Sequence, residues 1–574
     1  MKQLLLGNEA VARGAWEAGV AVASAYPGTP STEITENIAK YDEVYAEWAP
    51  NEKVAVEVAV GASLGGARAI AAMKHVGLNV AADPLFTASY SGVGGGLVLV
   101  VADDPGMNSS QNEQDTRLVA RAALVPVLEP ADSEECLRFT KLAFHLSEQY
   151  DTPIILRLTT RVAHARTLAE PGAREAFALK PYKRDMLKNV MMPAMARKRH
   201  LFVEDRLNRM GQDANTMDIN RVEHHGGKMG IVTAGISYTY VREALPEADV
   251  FKLGLVYPLP MEALREFASH YDTLYVVEEL EPFLEDALKA VGIPCVGKSL
   301  FGVQGELGAQ IVAAKLAGTP MPQGEAADLP IRPPVLCPGC PHRGTFHIFN
   351  KLGLTVTGDI GCYTLAALEP LSAMDSCLCM GASIGMAHGF EKARGRTGKI
   401  VAVLGDSTFI HSGITGLINA VYNNSAITVA ILDNSITAMT GHQHNPATGK
   451  TLQGADAAVL NLELLCQSVG VQDVKVVDPF DIKASEAALK GSLAHEGPSV
   501  VIFRSPCALL PGLPVKKRYR VDTEKCRKCK RCMRLGCPAI ESTATGGVAI
   551  NASQCNGCGL CASVCPFGAI GREE

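Results

Sequence analysis

Lys399 to Ser435 reads KIVAVLGDSTFIHSGITGLINAVYNNSAITVAILDNS, and its rhythm is strand, helix, strand. Apolar runs at Ile400 to Leu404 and Ile427 to Leu432 flank a helical segment, which is the grammar of a doubly wound α/β sheet. Parallel strands bring their carboxyl ends to one rim. Gly405-Asp406-Ser407 ends the first strand, and Asn434 ends the second, 27 residues after Ser407. Asp406 and Asn434 can therefore present hard oxygen ligands to one cation, a set that suits Mg2+, while Gly405 lets backbone approach a diphosphate. Two surface turns would carry the same residues, so the wider context has to decide.

Outward from this segment the grammar repeats. The domain that holds it spans 336–515. Residues 1–180 alternate helical stretches such as Asn8 to Ala18 with short apolar strands such as Val20 to Ala25 and Gly96 to Val101, a second doubly wound domain. Residues 181–228 include PYKRDMLKNVMMPAMARKRH at their start, break the rhythm and read as a basic, Met-rich connector. A small α/β domain at 229–317 opens with GIVTAGISYTYVREAL and continues through strands at Phe251 to Tyr257 and Thr273 to Glu278. Pro320, Pro322, Pro330, Pro333 and Pro334 make 318–335 an extended linker, since proline sustains neither helix nor central strand. Basic Lys516 to Arg520 leads into a cysteine tail, 521–574.

That tail reads Cys526-x2-Cys529-x2-Cys532-x4-Cys537-Pro538, then Cys555-x2-Cys558-x2-Cys561-x3-Cys565-Pro566. Two-residue gaps wrap three thiolates around one Fe4S4 cubane, and in two-cluster ferredoxins the fourth cysteine of each run ligates the other cluster. The crossing groups Cys526, Cys529, Cys532 with Cys565, and Cys555, Cys558, Cys561 with Cys537. A pair of zinc ribbons is the alternative, but tandem CxxCxxC followed by Cys-Pro, twice, is a poor zinc pattern. The tail is a wire that needs an electron source upstream.

The whole chain has 574 residues, net charge −6, 47% hydrophobic and 20% charged residues, as ordinary globular proteins do. Nucleic acid is not the expected partner. Its longest apolar runs, such as Gly96 to Ala102, are far shorter than the ~20 residues that span a bilayer, so the expectation is a cytoplasmic protein without a membrane. Of seventeen cysteines, eight cluster in the last 49 residues, which favours metal ligation over disulfides.

GDSTFIHSGITGLINAVYNNSAITVAILDNSITAMTG resembles the thiamine diphosphate motif, with Ser407 where Gly is usual. The resemblance implies Mg2+ held by Asp406, Asn434 and the backbone of Ile436, and a glutamate from another domain that polarises the cofactor's aminopyrimidine. NEKVAVEVAVGASLGGARA, in which Glu57 is read as opening a helix of small residues, resembles the pyrimidine-domain helix of 2-oxoacid:ferredoxin oxidoreductases, and Glu57 is the candidate, favoured over nearby Glu52 because Ala, Gly and Ser follow it at the family's spacing. Tyr26-Pro27-Gly28-Thr29-Pro30-Ser31 is similar to the family's YPxTPS turn, which makes Thr29 a substrate contact. Cys337, Cys340, Cys362 and Cys507 match the order in which the family holds a further 4Fe-4S cluster beside the cofactor, although Cys377 and Cys379 lie between them. Cys136, Cys295 and Cys466 read as core residues.

The resemblance thus implies two thiamine-diphosphate-type domains, pyrimidine and diphosphate, a small transketolase C-terminal-like domain between them, and a two-cluster ferredoxin-like tail. This order is similar to the indolepyruvate branch of the family. It implies oxidative decarboxylation of arylpyruvates, indolepyruvate or phenylpyruvate among them, to aryl-acetyl-CoA, with electrons passing to soluble ferredoxin. Coenzyme A and the 2-oxoacid would be the small-molecule partners. A small beta subunit of gamma-domain type would complete a hetero-oligomer, two of each chain. The alternatives are another 2-oxoacid, pyruvate or a branched-chain acid, a non-redox lyase or synthase using the same cofactor, or an electron-transfer subunit whose thiamine-like domains are scaffold.

Overall fold

The computed structural model describes residues 1–321, 333–514 and 516–573. Pro322 and Pro330 of the expected linker, and Glu574 of the tail, lie outside the described residues. Contacts divide the chain into two units, Met1–Ala326 and Ala327–Glu574.

In the first unit, strands Tyr45–Trp48, Val22–Ala25, Ala69–Lys74, Leu97–Asp103, Ile154–Thr159 and Val127–Leu128 lie side by side in that order and run parallel. Leu97–Asp103 and Ile154–Thr159 are buried along their whole length, as strands covered on both faces must be. A second sheet runs Cys295–Val296, Leu274–Val277, Gly230–Ala234, Asp249–Leu253, with Arg221–Glu223 antiparallel at its edge.

The structure divides one apolar run that reads as a single strand. Phe251 to Tyr257 breaks at Gly254: Asp249–Leu253 stays in the second sheet, and Leu255–Tyr257 joins the first, antiparallel to Val127–Leu128. Asn220 Oδ1 accepts the N–H groups of Gly254 and Leu255 at 2.9 and 3.0 Å, which holds the crossing. The two sheets are further joined by Arg117, fully buried, which donates to Asp115 at 2.6 Å and to Glu278 at 2.8 Å.

Within the basic stretch 181–228 the structure has a 21-residue helix, Pro193–Asp213. Pro193 stands in its first turn, where no N–H is missed, and Val203, Leu207 and Met210 form a narrow buried stripe. Arg206, 1% exposed, donates to the carbonyls of Asp151 and Ser89, both at 2.7 Å. A charged residue buried as an anchor is invisible to a search for apolar periodicity, which is why the stretch reads as a connector.

The second unit is built on a six-stranded parallel sheet in the order Ser376–Cys377, Thr355–Gly358, Ile400–Gly405, Thr428–Asp433, Ser499–Arg504, Asp473–Val477. The tail adds two short antiparallel pairs, Tyr519–Val521 with Ile570–Arg572 and Ile540–Ser542 with Val548–Ile550. It does not hang free. Leu535 and Leu560 bury in one core with Leu336, Phe346 and Phe349, and each such side chain contributes about 1.5–3 kcal/mol.

Candidate functional site

Gly405 and Leu432 pair across adjacent parallel strands, so the loops that follow leave from one rim. A helical segment starts at Asp406 and runs through a π-turn, Phe409–Gly413, into the helix Ile414–Tyr422. Such π-turns cost hydrogen-bond regularity and gather at functional sites. Asp406 is 2% exposed; Oδ1 accepts the Ser407 N–H at 2.8 Å, while Oδ2 is buried without a partner among the described residues. A buried carboxylate oxygen left unsatisfied is expensive unless a cation or proton meets it. Burial, and then the Asp433 carboxylate, push Asp406 up to about 7. Asn434 and Ile436 are buried beside this loop. Their oxygen donors suit a hard divalent cation.

Gly405 has a different reason to be glycine from the one its place in the motif suggests. Its φ of −78° is open to any residue, but an added Cβ would lie 3.1 Å from the Tyr363 ring. Two further residues escaped sequence reasoning. Asn445, buried in the loop after Ile436, lies close enough to the Asp406 carboxylate to hold its pKa down against burial. Asp359 is fully buried and accepts the N–H groups of Gly381 at 3.0 Å and Ser383 at 3.2 Å, tying two loops of the same rim. A lone Asn and a lone Asp carry no motif, and the strand before Asp359, Thr355–Gly358, is too short and mixed in polarity to announce it.

Cys337, Cys340, Cys362 and Cys507 come together: Cys337 lies within electrostatic reach of the other three thiols. Cys377 and Cys379 feel Asp359 and not these four, which separates them from the group. The Cys507 N–H donates to the Asn434 carbonyl at 3.0 Å, so this cysteine group and the Asp406–Asn434 end are one hydrogen bond apart.

The tail cysteines line two cavities, in the crossed grouping. One is lined by Cys526, Cys529, Cys532 and Cys565, the other by Cys537, Cys555, Cys558 and Cys561. In each cavity four thiols stand around a space, which suits the corners of a cubane. Cys340 also lines the second cavity. Gly339 has φ 70° and Asn556 is pressed against it, so the Cys337–Cys340 turn touches the tail directly. Arg343, 3% exposed, sits between, donating to the carbonyls of Cys337 at 3.2 Å, Leu535 at 2.8 Å, and Leu336. Cys136 and Cys466 are buried and Cys295 is half-buried.

In the first unit, Thr29 lies in the loop after strand Val22–Ala25, on the rim where parallel strands end. Ser109 Oγ donates to the Thr29 carbonyl at 3.4 Å, and the Ser109 N–H donates to Asp104 at 2.8 Å. Glu57 does not open its helix. Asn51 caps the helix Glu52–Leu64 by accepting the Val54 N–H, Glu52 is its first residue, and Glu57 is mid-helix, 45% exposed and paired with Lys53. Glu52 is 5% exposed on the same rim; a Cβ at Gly77 would lie 2.6 Å from its Oε1, and Lys74 feels its charge.

Three family models match: pyruvate flavodoxin/ferredoxin oxidoreductase, thiamine diphosphate-binding, over residues 13–221; thiamine pyrophosphate enzyme, C-terminal TPP binding domain, over 359–503; and 4Fe-4S binding domain over 548–571. Thiamine diphosphate and 4Fe-4S chemistry therefore belong to this chain. The indolepyruvate oxidoreductase subunit IorA of Archaeoglobus fulgidus is 42% identical over 99% of this chain and 97% of its own length. IorA of Pyrococcus horikoshii is 42% identical over 99% and 96%, and that of Methanothermobacter thermautotrophicus 41% over 100% and 97%. No helix among the described residues is long and apolar enough to cross a membrane. With this match along nearly the whole length, the chain belongs to the IorA family of oxidoreductase subunits, within the thiamine-diphosphate-dependent 2-oxoacid:ferredoxin oxidoreductases.

Proposed function

We propose that this chain catalyses oxidative decarboxylation of arylpyruvates: a 2-oxoacid anion and coenzyme A give acyl-CoA, carbon dioxide, one proton and two electrons, and the electrons leave singly to ferredoxin. One observation carries the reading. The Cys507 N–H to Asn434 carbonyl bond places a four-cysteine group directly against the end that suits the metal and diphosphate. A decarboxylase with no redox step has no need of that neighbour.

Bound thiamine diphosphate supplies the nucleophilic carbon and electron sink that 2-oxoacid cleavage requires. Asp406, the Asn434 side chain and the Ile436 carbonyl would hold Mg2+, and Gly405 and Ser407 would meet the diphosphate with backbone and hydroxyl. Cys337, Cys340, Cys362 and Cys507 would hold a third cluster. Thr29 would contact the 2-oxoacid. Glu52 takes the role first given to Glu57: a carboxylate that must share a proton with a cofactor ring needs a dry, fixed position, which Glu52 has and the Lys53-paired Glu57 lacks. A second, smaller subunit would complete the enzyme.

Anaerobic turnover of indolepyruvate, phenylpyruvate, pyruvate and 2-oxoglutarate with coenzyme A and methyl viologen tests the reading. Arylpyruvates are expected to give the highest kcat/KM. Preference for pyruvate or 2-oxoglutarate would reassign the substrate, and iron without thiamine diphosphate in the fresh complex would reassign the chain as a carrier. Glu52→Gln is expected to cost 100-fold or so in kcat with cofactor still bound, and Glu57→Gln little.

A further inference from the structure

The stretch Lys516 to Arg534 holds ten basic and two acidic residues in a chain of net charge −6, and all ten basic side chains are exposed. Three of them line one of the two tail cavities. The wall around Cys526, Cys529, Cys532 and Cys565 carries Arg527, Lys530 and Arg531 and no carboxylate among the described residues. Cys529 is exposed, and Phe567, two residues past Cys565, is 47% exposed. The other cavity is walled by Cys340, Arg343, Leu535 and Leu560, and so faces the body of the unit.

We propose that this basic face is the docking surface for an acidic, one-electron iron–sulfur carrier, and that the cluster on Cys526, Cys529, Cys532 and Cys565 is the exit. The inference deepens the proposed function, and rests on it only for the source of the electrons. A carrier with a negative surface is drawn to Arg527, Lys530, Arg531 and their neighbours, and the exposed Cys529 thiolate and the Phe567 ring shorten the gap to its own cluster. In each encounter the exit cluster loses one electron and the carrier gains one. Two encounters clear the two electrons of one turnover, and no proton crosses.

The test uses the holoenzyme and a purified acidic 4Fe-4S ferredoxin. Wild type is first reduced with dithionite, so that the organic substrate plays no part, and ferredoxin reduction is followed by stopped flow. The second-order rate is expected to fall roughly tenfold or more from about 20 to about 300 mM ionic strength. The variant K525E/K528E/R534E alters charges outside the cavity wall. At low salt it is expected to lose a further ten- to hundredfold for ferredoxin, with a flattened salt slope, unchanged iron content and no matching loss with cationic methyl viologen. Equal ferredoxin rates in variant and wild type, or equal losses for ferredoxin and viologen, would overturn the docking face. Salt-indifferent ferredoxin reduction with retention on anionic phospholipid vesicles would give the face to a membrane and overturn it too. If dithionite-reduced enzyme behaves as expected but no 2-oxoacid reduces viologen, the docking face stands and the proposed function fails.

Discussion

The two cysteine cradles of the tail come from near-identical runs and end in opposite surroundings. The inner one, Cys537 with Cys555, Cys558 and Cys561, shares its wall with Cys340, Arg343 and a buried leucine pair. The outer one, Cys526, Cys529 and Cys532 with Cys565, opens among exposed arginines and lysines. Ligand spacing sets what kind of cluster each can hold; the neighbours set where its electron can come from and go. Direction in the proposed wire would therefore lie in the residues around the ligands.

The largest expected effect separates the cradles outright. Cys558→Ala and Cys526→Ala should each lose about four irons per chain, and each should slow ferredoxin reduction by 100-fold or more. They should differ in what substrate can still reduce: with the outer cradle broken, freeze-quench EPR should show reduced inner clusters, and with the inner one broken it should show an outer cluster left oxidised. An outer cluster reduced by substrate in Cys558→Ala would break the comparison.

Next in size is Arg343→Met, which removes a buried cation and three donors to backbone carbonyls. The potentials of the inner cluster and of the one on Cys337 and Cys340 should move negative by something on the order of 50 mV, what a unit charge gives at protein-interior dielectric, and the outer potential should stay. Redox titration monitored by EPR reads all of them. An equal shift at the outer cluster would mean that Arg343 does not mark the inner side.

A smaller effect distinguishes the carboxylate end of this unit from its thiol ends. Asp406 is raised to about 7 by burial and by Asp433. A raised carboxyl favours the protonated fold, so apo stability from this group falls as pH rises from about 4 to about 7, and a divalent cation offsets that loss. The gain in Tm on adding Mg2+ with thiamine diphosphate should grow between pH 6 and pH 8, by about 2–4 °C for each kcal/mol recovered. A gain independent of pH would remove Asp406 from the metal site. Smallest of all, Cys377→Ser and Cys379→Ser should leave iron content and EPR spectra as they were.

Much of this was legible in the sequence, for reasons tied to spacing. The crossed cysteine groups are spacing made visible, as is the strand–helix–strand that carries Asp406 and Asn434. Which glutamate begins the helix does not show in the sequence, because a run of Ala, Gly and Ser follows both, and only burial and the Asn51 cap tell them apart. Arg206 and Arg343 were passed over for one physical reason: a buried arginine is fixed by carbonyls from distant loops, and no local pattern announces those partners. The break at Gly254 is of the same kind, since Asn220 makes it from 34 residues away.

Iron anomalous scattering from anaerobic crystals of the holoenzyme tests the central claim most directly. Three iron centres are predicted, on Cys337/Cys340/Cys362/Cys507, on Cys537/Cys555/Cys558/Cys561 and on Cys526/Cys529/Cys532/Cys565, with the second between the other two. Signal at the zinc edge in either tail cradle, or no iron on the group beside Asn434, would contradict a wire that starts at the thiamine diphosphate end and leaves through the basic face.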